Sequence, residues 1–328
     1  MKDLIPPFDF EQVMVAPWTT GLEGTIWIVL MGALVGIACG IIGNFLLLRR
    51  MALVGDAISH SILLGLILAF LIFRNAGTGV MFLGALLSGV ATVAIIEFIH
   101  KQSRVKIDAA ICIAFTTLFA IGVTLVSAAE TAGPVHIDAE CVLYGEIGFV
   151  IFEPPAKLGN VVLGPTSVVR MAIVTLLLLA AVILFYKELV ITSFDGGLAK
   201  AMGMRTGLWH YGLMVALSLV VVSAFESVGA VLAVAMLIVP AMFGSQLSNR
   251  LPVRLVLTSL HAIVSAVLGY HLAIWLECSI AGAMVVVGSL LFVAAWFGTM
   301  AAARWHHSVS KAEQTGRQTP DSLPMTHS

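Results

Sequence analysis

The chain has 328 residues, 60% of them hydrophobic and 11% charged, with a mean hydropathy of +1.05 and a formal net charge of −1. Soluble domains are roughly 45–50% apolar and about 25% charged, so a water-soluble globular protein and a disordered chain are both excluded. The near-zero charge offers no basic field for phosphates, which excludes a nucleic-acid binder as well. What remains is an integral membrane protein.

Residues 1–24 lack the basic start, short apolar core and small-residue cleavage site of a signal peptide, and are expected as a segment outside the membrane. A bilayer core about 30 Å thick needs roughly 20 apolar residues in a helix. Runs near that length fall at 25–48, 52–73, 79–99, 108–128, 168–186, 208–225, 228–246, 252–270 and 273–298. They predict an all-α polytopic protein of eight to nine transmembrane helices, with its membrane domain at 25–303. In the first run Gly32, Gly36 and Gly40 recur every four residues, a stripe that lets helix backbones approach closely. Between the fourth and fifth runs, 137–152 is semi-apolar but carries Asp138, Glu140 and Glu146, and reads as interfacial or re-entrant. From Arg304 to Ser328 the chain turns polar, with Pro320 and Pro324, and reads as a disordered cytoplasmic tail. No second soluble domain is expected.

Lys and Arg set the orientation. Arg49, Arg50, Lys101, Arg104, Lys106, Lys187, Lys200, Arg205, Arg250, Arg254, Arg304, Lys311 and Arg317 fall on one side if nine runs cross, leaving Lys2, Arg74, Lys157 and Arg170 on the other. The N-terminus is therefore expected outside and the C-terminus in the cytoplasm.

Several chemistries are missing. No Cys-x-x-Cys pair links Cys39, Cys112, Cys141 and Cys278, so they read as small packing residues rather than a zinc or redox motif. No Gly-Lys dipeptide occurs, hence no P-loop for ATP, and no His-Glu-x-x-His protease motif is present. The chain is not expected to be an enzyme, and its energy must come from an ion gradient or another subunit.

Within the second run, Asp56 and His60 are four apart and share a helix face. An ionisable pair in an apolar segment costs several kcal/mol unless paired, hydrated or coordinated. Carboxylate plus imidazole suits Mn, Fe or Zn; a structural hydrogen bond or a proton relay uses the same pair. Glu226, at the boundary of the sixth and seventh runs, is either a further ligand lining a path or a loop residue. His136, Asp138 and Glu140 form either a cation funnel or a solvated loop. His210, His261 and His271 read as hydrogen-bonded helix residues, and His306, His307 and His327 are too scattered for a site. Pro240 marks a kink or an end in the seventh run. In the loop after the fifth run, Asp195, Ala199 and Gly203 are spaced by four, beside a stripe of Phe194, Leu198 and Met202. That pattern makes a short amphipathic helix at about 193–205, fit to dock on another protein or to lie on lipid headgroups.

Five blocks carry a resemblance. They are Arg49-Arg-Met-Ala-Leu-Val-Gly-Asp-Ala-Ile-Ser-His60, Asp108-Ala-Ala-Ile-Cys-Ile-Ala-Phe, Leu143-Tyr-Gly-Glu-Ile, Ser193-Phe-Asp-Gly-Gly-Leu-Ala-Lys-Ala-Met-Gly203, and Val228-Gly-Ala-Val-Leu-Ala-Val-Ala-Met-Leu-Ile-Val-Pro-Ala241. In this order, over about 25–298, the chain resembles the permeases of manganese/zinc/iron ABC importers, the ABC-3 group. The resemblance implies a multi-pass permease of the bacterial inner membrane. Asp56 and His60 would contact a transported Mn, Zn or Fe ion, and no cofactor would be tightly bound. Phe194, Asp195, Ala199 and Gly203 would belong to a coupling helix that meets a separate ATP-binding subunit. An extracytoplasmic metal-binding protein, membrane lipid and a second permease, identical or similar, would complete the partners. Glu226 and the polar tail depart from the family pattern. The rival reading is a proton-coupled secondary transporter, which would not need the 193–205 element.

Overall fold

The computed structural model describes residues 6–74, 77–132, 146–158 and 161–316. In chain order these form helices α1 (Leu22–Leu48), α2 (Val54–Phe73), α3 (Thr78–Gln102) and α4 (Ile107–Ala132). A hairpin of β1 (Pro155–Leu158) and β2 (Val161–Pro165) comes next. The chain then forms α5 (Thr166–Leu184), α6 (Tyr186–Phe194), α7 (Gly196–Ala201), α8 (Thr206–Val228), α9 (Ala230–Leu247), α10 (Leu251–Leu276) and α11 (Ile280–Gly316). Eight helices among the described residues are long and apolar enough to cross a membrane: α1–α5, α8, α10 and α11. The expected seventh run forms α9, an apolar helix of 18 residues. Helices dominate because hydrocarbon offers the backbone no partner, so each segment must satisfy its own N–H and C=O groups. The antiparallel β1–β2 hairpin has no counterpart among the expected elements.

α1 is the central post. Its glycine stripe faces α10: a Cβ on Gly36 would come within 2.9 Å of Ala262 Cβ, and one on Gly40 within 2.5 Å of Thr258 Cγ2. Gly43 lies against the Leu237 carbonyl of α9. Small residues thus replace side-chain interdigitation with direct backbone approach. Buried Asn44 fastens the same junction, donating to the Gly40 carbonyl (2.8 Å) and to Thr258 Oγ1 (2.9 Å), while Thr258 donates to the Pro240 carbonyl (3.1 Å). Pro240 lies inside α9 rather than ending it.

Three boundaries differ from expectation. The last two spans divide at Glu277–Ser279, not at 271–272. Glu277 takes the left-handed conformation (φ 50°) and its N–H closes α10 on the Ala273 carbonyl. The ring of His271, which interrupts the apolar run, is absorbed by the N-terminal segment: Nδ1–H donates to the Val13 carbonyl (2.9 Å), and Nε2 accepts from Trp18 Nε1 (3.2 Å). The helix can therefore continue past it. At the C-terminus, α11 runs to Gly316, into the stretch expected to be disordered. Of 137–152, Ile147–Phe152 is a 3₁₀ helix, and Glu146 Oε1 accepts from the N–H groups of Gly148 and Ile280 (both 3.4 Å). Residues 137–145 lie outside the described residues. So do the funnel candidates His136, Asp138 and Glu140, most of the Leu143–Ile147 block, Cys141 and His327.

Candidate metal site

Asp56 and His60 project from the first turns of α2, yet they lie deep in the bundle. Ile58, between them, packs at Gly89 of α3, and Ser218 of α8 meets the same glycine: a Cβ there would be 3.1 Å from Ile58 Cγ2 and 3.2 Å from Ser218 Cβ. Gly89 and Ser218 are near the midpoints of their helices. The pair therefore lies at mid-depth, although it begins its own helix. Serine and threonine hold α2 to α3 at this level. Ser88 donates to the Ser61 carbonyl (2.6 Å), and the hydroxyls of Thr92 and Ser61 are 2.6 Å apart.

His60 Nε2 and Asp56 Oδ1 are 3.4 Å apart. That is long for a hydrogen bond. It matches the separation of two ligands on one tetrahedral ion, about 3.4 Å for bonds near 2.1 Å. Phe115 and Phe119 of α4 wall the imidazole, with ring centroids 5.6 and 5.5 Å away. His60 Nδ1 is buried and has no hydrogen-bond partner among the described residues. The side chains of Asp56 and His60 stay 36% and 26% exposed, so the pair opens to one side of the bundle. No cluster of three or more His, Cys, Asp or Glu able to hold a metal occurs among the described residues. Among the described residues Asp56 and His60 thus offer two candidate ligand atoms and no third.

Glu226 is placed elsewhere. It pairs with Arg170 of α5, whose guanidinium also lies 5.3 Å from the Phe82 ring centroid. Along α8 it lies about 12 Å beyond Ser218 by helical rise. His261 is buried and meets the Gly288 carbonyl through Nε2 (3.0 Å).

Within 193–205 lie the last two residues of α6, a break at Asp195 and the short helix α7. Asp195 breaks the helix (φ −145°, ψ 97°) and its carboxylate caps α7, accepting from Gly197 N (2.8 Å) and Leu198 N (3.0 Å). Ala199 is buried, whereas Phe194, Leu198 and Met202 are exposed. Gly203 turns the chain with φ 78°, a conformation that favours glycine.

A polar cluster that the sequence did not flag lies beside this element. Glu97, almost fully buried on α3, accepts from Lys101 Nζ (2.6 Å) and the Tyr211 hydroxyl, and His210 Nε2 lies in close contact with its other oxygen. Arg49, at the end of α1, reaches His210 Nδ1 (3.1 Å), Ser193 Oγ (3.1 Å) and Thr192 Oγ1 (3.3 Å). Burial pulls the Arg49 guanidinium down from its ordinary pKa, a desolvation cost that these acceptors offset. With Arg50, Lys200 and His100 the cluster lines a cavity of about 620 Å³.

A half-exposed carboxylate–imidazole pair at mid-depth of a polytopic helical bundle marks a membrane transport protein. Residues 22–299 match the ABC 3 transport family, and the chain belongs to that family. It is 44% identical over 270 residues to the manganese transport system membrane protein MntD of Bacillus subtilis, covering 82% of this chain and 90% of that one. It is 40% identical over 268 residues to the zinc transport system membrane protein TroD of Treponema pallidum, covering 82% and 72%. Among solved structures it resembles PsaBC from Streptococcus pneumoniae in complex with Fab, with a TM-score of 0.71, 31% identity and coverage of 88% and 95%.

Proposed function

We propose that this chain is the permease subunit of a bacterial ABC importer for a divalent transition metal, manganese or zinc before iron. One observation carries the reading: Asp56 and His60 stand at mid-depth with a ligand-to-ligand spacing, open on one side. A carboxylate cannot face lipid at that depth without a cost of several kcal/mol. The open side therefore calls for water or a second permease, which would supply the rest of the shell. The neighbouring α4 supports a second copy, since it exposes Cys112, Thr116, Thr117 and Thr124 rather than a uniformly apolar face. Two protein ligands hold an ion loosely enough to release it, as transport requires. The names of the MntD and TroD relatives support manganese and zinc.

ATP hydrolysis belongs to a separate subunit in this reading. The exposed Phe194, Leu198 and Met202 on α6–α7 form its docking surface, positioned by the Asp195 cap, buried Ala199 and the Gly203 turn. An extracytoplasmic metal-binding protein delivers the ion.

The test is uptake into proteoliposomes holding the chain with its ATPase and binding protein, at fixed ATP and without an ion gradient. Mn(II) or Zn(II) accumulation should depend on ATP and fall at least ~10-fold with His60→Ala and with Asp56→Asn, a loss typical of first ligands and their supports. Uptake that needs a proton gradient and ignores ATP would return the chain to the secondary-transporter reading.

A further inference from the structure

We propose that Arg49 is a positioning residue that couples the α6–α7 segment to the turn carrying Asp56 and His60. The inference rests on the permease reading above and adds the route by which movement at the docking surface reaches the metal pair.

Arg49 donates in three directions. Nε and Nη2 hold Ser193 and Thr192, in the last turn of α6 before the Asp195 break, and Nη1 holds His210 Nδ1 on α8. Because a guanidinium only donates, His210 Nδ1 accepts, which puts the ring proton on Nε2, in close contact with the Glu97 carboxylate on α3. One side chain thereby joins α1, α6 and α8 directly and α3 through the imidazole. All three donations come from a planar, rigid fork, so the segments move as one or the bonds break.

The turn after Arg49 is stiff. Arg50, at φ 57°, ends α1 in the left-handed conformation, and Met51 N–H returns to the Leu46 carbonyl (3.0 Å) as Arg50 N–H returns to Leu47 (3.1 Å). Both bonds close the end of α1 in a Schellman cap. Val54 N–H then bonds the Met51 carbonyl (3.2 Å), so α2 begins on this turn with no slack. A pull on the Arg49 guanidinium by α6 is delivered to the start of α2, two residues before Asp56. His210 carries the same displacement into α8, whose Ser218 lies at the level of Ile58.

The test uses the full complex in proteoliposomes, recording Mn(II) uptake and ATP hydrolysis on the same sample. Arg49→Gln should lower the metal carried per ATP by about tenfold, the worth of one charge-assisted hydrogen bond, with Mn(II) binding at Asp56 and His60 unchanged. A merely structural role reduces the active fraction and lowers uptake and hydrolysis together, leaving the ratio native; that result would overturn the proposal. Should Arg49→Gln fail to assemble, the double variant Thr192→Val, Ser193→Ala removes the α6 acceptors without touching α1, and a native ratio there overturns it equally. A native complex that shows no ATP-dependent uptake sinks the permease reading instead.

Discussion

Two carboxylates of this chain stand in apolar helices under opposite arrangements. Both side chains are 36% exposed, but Asp56 faces an imidazole at ligand spacing whereas Glu226 is paired with the Arg170 guanidinium. Neutralising Glu226 leaves the Arg170 cation without its counterion, and Arg170 Nε already lacks a partner. Glu226→Gln is therefore expected to lower the unfolding free energy by about 1–3 kcal/mol, read as a drop in the melting temperature of the purified protein. Mn(II) affinity, measured calorimetrically, should stay native in the same variant and fall in Asp56→Asn. Equal losses in both would put Glu226 in the coordination shell. Asp56 and His60 were legible in the sequence because a charge and an imidazole at helical spacing interrupt an apolar run. Glu97 was not, since Lys101 four residues on makes it look like an ordinary helix-end ion pair. Its link to His210 joins positions 97 and 210, and nothing in either neighbourhood announces it.

Helix spans were legible because each is a continuous apolar run, and their boundaries failed where a polar residue found a tertiary partner. His271 looked like an interruption, yet Val13 and Trp18 accept it into α10. Asp195 looked like one position of a stripe, but its carboxylate satisfies the α7 N–H groups better than a helix passing through it would. The glycine stripe packs against α10 and α11, partners that its spacing alone does not name. Gly43, three residues beyond the stripe, gives a sharp expectation through its α9 contact. A methyl on Gly43 drives into the Leu237 carbonyl, which is backbone and cannot rotate away, so Gly43→Ala should cost about 1–3 kcal/mol by overpacking. Gly212, inside α8, has nothing within 4 Å of its would-be Cβ. Gly212→Ala should instead leave stability unchanged or raise it by about 0.5–1 kcal/mol. Thermal unfolding of the two variants side by side checks the contrast; a neutral Gly43→Ala would mean that α1 and α9 are not held this closely.

For the molecule as a whole, the basic residues of the α1–α2, α3–α4 and α9–α10 turns predict which end faces the cytoplasm. Cys278 offers a direct test, because it is exposed in the α10–α11 turn at the opposite end, whereas Cys39 is buried. A charged, membrane-impermeant maleimide added to intact spheroplasts should modify Cys278, mapped by peptide mass, and Cys278→Ser should remove that adduct. Modification only after permeabilisation would invert the orientation. The depth of Asp56 and His60 has an electrical meaning too. If the voltage falls evenly across the bundle, an ion held beside Ile58, level with Gly89 and Ser218, would have crossed about half of it whichever end it came from. A divalent cation thus moves roughly one unit of charge through the field in reaching the pair, about 2.3 kcal/mol for every 100 mV. Under the proposed function, with the cell interior negative, the potential would itself draw the ion from outside as far as the pair, leaving ATP to govern which side the pair opens to.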